Sequence, residues 1–125
     1  MDVNEPGPVA EVTAAFEAYE QALMTNDVEA LDGFFRRDPL TIRYGLGENS
    51  YGHDAIAAVR RARAAEARSL EQTVVTAYGN DAATADTLFT RTQSGRRGRQ
   101  SQTWIRFDEG WRIVSAHVSW LDPNT

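Results

Sequence analysis

The chain has 125 residues, a formal net charge of -5 and no cysteine. That length suits one domain able to bury roughly two thirds of its unfolded surface. The missing cysteine excludes a disulfide framework, a thiolate metal site and a cysteine nucleophile. The acidic balance speaks against a general affinity for nucleic acid, which needs a basic face.

All 13 basic residues are arginine and none is lysine. No Schiff-base lysine is therefore available, and an anion in a pocket must be met by guanidinium groups. No apolar run reaches the length of about 18 residues that a membrane span needs, and the acidic start MDVNEPGPVAEV has no apolar leader core. A soluble, cytoplasmic protein that binds neither membrane nor nucleic acid is expected.

Met1 to Pro8, with two prolines and a glycine, reads as a loose lead-in. Val9, Val12, Phe16, Tyr19 and Leu23 then follow a helical spacing and form one apolar stripe. Asn26, with Glu29 three residues on, is placed to cap a second short helix that offers Val28, Leu31, Phe34 and Phe35 to the core and stops at Pro39. Leu40 to Tyr44 reads as a strand, with Leu40, Ile42 and Tyr44 on one face and Thr41 and Arg43 on the other. A loop over Gly45 to Asn49 follows. A third helix is expected from Gly52-His53-Asp54 to about Arg68, with Arg60, Arg61, Arg63 and Arg68 on its solvated outer face.

The second half changes character. Leu70 to Tyr78, Ala82 to Gln93, Gly98 to Phe107 and Trp111 to Leu121 read as strands separated by short turn-forming tracts. Helices first and a meander afterwards is an α+β pattern, with three N-terminal helices packed on a curved antiparallel sheet. On the last strand, strict alternation puts Trp111, Ile113, Ser115, His117 and Ser119 on one face and Val114, Ala116, Val118 and Trp120 on the other. Neither face is polar enough to be merely solvated. One should line the core and the other should meet a second copy, so a homodimer through the sheet is expected.

No HExxH, glycine-rich phosphate loop or GxSxG elbow is present, and His53 and His117 are the only imidazoles. No metal site and no cofactor are expected. Tyr19 lies on the buried helical stripe, so its hydroxyl either is satisfied within the core or meets pocket water. Arg43 either faces solvent or offers a fork to a carboxylate in a pocket, where its charge would favour the phenolate of a neighbouring tyrosine. His117 is either a satisfied strand histidine or a group that orients a ligand. Gln100, Gln102 and Trp104 alternate on one face of the neighbouring strand and would supply amides and an apolar wall, unless the Ser101, Thr103 and Ile105 face points inward. Asp86 among threonines is a candidate isomerase-type base but better suits a solvated position. The basic tract Arg96 to Arg99 reads as a solvated hairpin end.

The tracts VAEVTAAFEAYEQALMTNDVEALDGFF, IRYGLGENSYGHDAI and GRQSQTWIRFDEGWRIVSAHVSWL together resemble the AtzH-like family. That family includes the oxalurate catabolism proteins of HpxZ type, within the nuclear transport factor 2-like superfamily. The resemblance runs from about Val9 to Leu121. It implies a cone-shaped fold, a dimer and a cytoplasmic role in breaking down small ureides. The family's characterised branch is a decarboxylating amidohydrolase of dicarboxyurea in the cyanuric acid pathway, with a helical tyrosine and a strand arginine as the proposed catalytic pair. Tyr19 in FEAYEQAL and Arg43 in TIRYG match those positions. The resemblance thus implies a metal-free amidohydrolase in which Tyr19 and Arg43 act on a small carboxylated ureide, oriented by Gln102, Trp104 and His117. The rival expectation is a dimeric accessory protein whose same pocket binds a small carboxylate without transforming it.

Overall fold

The stripe of Val12, Phe16, Tyr19 and Leu23 is buried along α1 (Pro6–Thr25) in the computed structural model, which describes residues 1–125. The helix begins earlier than expected because a proline is well suited to a first turn. The lead-in is tied down: Asn4 exchanges bonds with Ala77 through its backbone N–H (2.8 Å) and its side-chain oxygen (3.0 Å). Asn26 does not cap the second helix. It ends α1 in the left-handed conformation (φ 53°), which asparagine tolerates better than most residues, and Asp27 caps α2 (Val28–Phe34) by accepting from the Ala30 N–H at 3.2 Å.

β1 (Ile42–Tyr44) and β2 (Asn49–Tyr51) form a short hairpin where a loop was expected after Tyr44. α3 (His53–Arg61) stops well before Arg68, because Arg68 is drawn into the sheet as the first residue of β3 (Arg68–Tyr78), opposite Arg91. β4 (Ala82–Arg91), β5 (Arg97–Phe107) and β6 (Gly110–Trp120) complete the meander. The six strands lie in the order β2-β1-β6-β5-β4-β3. All neighbours are antiparallel except β1 and β6, which run parallel, so the sheet is mixed rather than wholly antiparallel. A parallel pair needs a long crossover, and the chain between β1 and β6 supplies it.

The helices cover one face of this sheet. Ala77, Ala83 and Ala85 are buried in the core cluster with the stripe of α1. Such small side chains let a helix sit close to the strands. Trp104, Ile113, Leu31 and Phe35 fill the remaining space, each worth about 1.5–3 kcal/mol or more when fully buried.

Alternation fails at one place on β6. Thr103 pairs with Ser115 but Trp104 pairs with Ile113, so Val114 is an extra residue. This β-bulge moves every following side chain to the opposite face. Trp111 and Ile113 point inward, and so do Ala116 and Val118, while Ser115 and His117 are exposed. On the outer face Tyr44 and Tyr51 meet edge to face, and Leu40, in the turn before β1, is 80% exposed.

Candidate functional site

Tyr19 sits where the core turns polar. Its ring packs edge-on against Phe34 (5.9 Å between centroids) and Phe35 (6.2 Å), and the residue is only 2% exposed. It also lines a small internal cavity together with Arg43, Arg60, Arg68 and Gln100. Arg43 projects inward from β1, so the polar face of that strand is the buried one. Ser50 on β2 and Ala116 on β6 flank it in the register. The sequence-predicted pair is therefore brought to one cavity.

Two of the three carboxylates here serve two arginines each. Glu48 accepts from Arg43 Nη1 at 2.8 Å and from Arg63 Nη2. Glu66 bridges Arg68 (3.2 Å) and Arg91 (2.6 Å). Glu20 is held by Arg68 Nη2 and Nε, and the same guanidinium donates to Gln100 Oε1 at 3.0 Å. Burial raises the Glu20 pKa, against the lowering effect of Arg68. Burial and the charge of Arg43 lower that of Arg63, opposed by Glu48. Gly45 makes room for this network: a Cβ there would stand 2.6 Å from Arg43 Nη1 and collide with the Glu48 carboxylate.

The cavity holds only about 10 Å³, the space of one water molecule. A vestibule of about 480 Å³ lies beyond it and shares Leu46, Arg63, Glu66 and Arg91 with it. Three of the four shared side chains, Arg63, Glu66 and Arg91, are held in ion pairs.

The remaining predicted residues divide. Gln102 and Trp104 face inward and are buried, but they lie beside the cavity rather than on its wall. Trp104 donates to Gln102 Oε1 at 3.1 Å and packs on Phe34. Gln100 takes the lining position instead. Gln100 and Gln102 each accept a bond through Oε1, and their buried Nε2 groups are left without a partner. His117 is not in the site. The bulge turns it to the outer face, where it meets Tyr44 edge-on at 5.9 Å. His53 donates to or accepts from nothing in the cavity; its Nε2 lies 2.7 Å from the Asp32 carbonyl.

The arginines assigned to a solvated helix face were the main omission. Arg60 and Arg68 are buried and line the cavity, and Arg63 lines both the cavity and the vestibule. A signal for Arg60 was present: it lies four residues after Ile56, hence on the buried face of α3. Glu20 likewise follows Phe16 by four residues. For Arg68 and Arg91 the sequence held no local signal.

Comparison with known proteins agrees with this architecture. A protein of unknown function from Pectobacterium atrosepticum is 54% identical, with a TM-score of 0.93 over 97% of this chain and 96% of that one. A cystatin-like fold protein from Burkholderia xenovorans is 46% identical, with a TM-score of 0.93 over 97% of each chain. A nuclear transport factor 2-like protein of unknown function from Pseudomonas putida shares the fold at 19% identity, with a TM-score of 0.79 over 92% of this chain and 87% of that one. No curated protein matches. The AtzH-like family model matches residues 1–124, and the chain belongs to that family.

Proposed function

We propose that this protein is an amidohydrolase acting on a small carboxylated urea derivative, such as dicarboxyurea or an oxalurate-type ureide, with loss of carbon dioxide where the product is a carbamate. The observation that carries the proposal is that Tyr19 and Arg43 line one cavity with four further arginines and Gln100. The substrate carboxylate takes the place that Glu48 holds on Arg43. The adjacent carbonyl carbon then faces the Tyr19 oxygen, which acts as nucleophile or as the base that activates water. The free N–H of Gln100 is a donor for the developing oxyanion, an interaction worth roughly 3–4 kcal/mol in a site closed to water.

Following ammonia and carbon dioxide release from dicarboxyurea and oxalurate-type compounds tests the proposal. Tyr19→Phe should abolish turnover while leaving ligand-induced thermal stabilisation in place, since the Tyr19 ring contacts survive. A variant with full activity would overturn the role of Tyr19. Thermal stabilisation by ureides with no product from any of them would leave a carboxylate-binding accessory protein.

A further inference from the structure

Arg60 stands apart from the other cavity arginines. It is 4% exposed and lines the cavity, yet no ion pair of the chain uses it. A guanidinium cannot shed its charge by deprotonation at any ordinary pH, so Arg60 keeps a full positive charge against the cavity with no carboxylate beside it. Its neighbours do not neutralise it. Arg43, Arg60, Arg63, Arg68 and Arg91 face three carboxylates, Glu20, Glu48 and Glu66. Five cations against three anions leave an excess of two positive charges, inside a chain whose net charge is -5. Local charge of this sign, opposite to that of the whole molecule, marks a place built to receive anions.

Within the carboxylate site proposed above, we infer that Arg60 is a second anion anchor, and that with Arg43 it makes the cavity select ligands carrying two anionic groups over those carrying one. One carboxylate displaces Glu48 from Arg43, and the other supplies the counter-ion that Arg60 lacks. Both charges of such a ligand are matched, whereas a monoanion leaves one guanidinium without a counter-ion. Among ureides, the doubly charged ones are favoured over the singly charged oxalurate type. Arg60 is a specificity-determining residue in this account. The bond-making step belongs to Tyr19.

The test uses simple anions without an amide bond, so that it is independent of turnover. Calorimetric titration of the intact protein with malonate and with acetate should show malonate bound at least about tenfold more tightly, the difference that one charge-assisted bond supplies. Arg60→Met should lose about ten- to a hundredfold in malonate affinity while acetate changes by less than about threefold. Arg60→Lys should recover part of the malonate preference. Without ligand, Arg60→Met should melt no lower than the parent protein at low salt, because the variant removes a charge that has no counter-ion and repels Arg63. A purely structural role would instead lower its melting temperature and leave the malonate-to-acetate ratio untouched, and that result overturns the inference. Equal affinity of the parent protein for the two anions overturns it as well, whether or not ureides are hydrolysed. An Arg60-dependent malonate preference in a protein that hydrolyses no ureide would support the anchor and sink only the catalytic proposal.

Discussion

Along the inner face of β5, Trp104 and Gln100 are only four residues apart, yet they belong to opposite kinds of interior. Around Trp104 lie Phe34, Phe35, Leu31 and Ile113, a dry aromatic and aliphatic packing in which the one indole N–H is met by Gln102. Around Gln100 lie Arg43, Arg60, Arg68 and Glu20, with an amide N–H unpaired and a cavity left open. Tyr19 spans the boundary, ring to one side and cavity to the other. The contrast separates two tasks. The apolar end holds the helices to the sheet, and the arginine end keeps buried charge and unsatisfied donors that stability alone would not retain.

The largest expected effect lies at the apolar end. Trp104→Ala should cost about 3–5 kcal/mol, read as a lower midpoint in urea unfolding, because it removes a fully buried indole and leaves a cavity in the core. A cost near zero would mean that the two ends are not mechanically distinct.

A smaller effect is expected at the ion pair of Glu48 and Arg43. Glu48→Gln removes the carboxylate that competes for Arg43, so acetate should bind about fivefold more tightly, equivalent to a partly exposed ion pair of about 1 kcal/mol. Unchanged or weaker acetate binding would show that Glu48 does not hold the ligand's place.

The smallest effect is a matter of slope with pH. Burial raises the Glu20 pKa above its ordinary value of 4.5. Between that value and the raised one, the unfolded chain binds fewer protons at this site than the folded chain does. The contribution of Glu20 to stability is therefore fully present below pH 4.5 and is lost as pH rises through the folded pKa. Measured against Glu20→Gln, the parent protein should lose ground as pH rises through this window. The opposite slope would mean that Arg68 outweighs burial and holds Glu20 ionised.

The helical stripe of α1, the four-stranded meander and the α+β layering are local patterns, and each was legible because side-chain period follows directly from backbone geometry. Tyr19 was legible for the same reason, since the stripe position fixes its burial. Arg43 was legible as a member of the polar face of its strand, although which face turned inward depended on what packed against it. The errors have one physical origin, the dependence of an element on distant partners. The single extra residue Val114 reversed the faces of β6 and carried His117 outside. Asn26 became a helix terminus because the chain had to turn there.

By itself, then, the order of residues determined the first two helices, the four long strands and where the apolar core would form, and it left arginine, with no lysine or cysteine, as the means of meeting an anion. Only the tertiary structure decided which arginines share a cavity, which of them have a carboxylate, and that Arg60 has none. Those side chains come from four separated segments. The balance of charge among them is a property of distances in space, which no local pattern along the chain encodes.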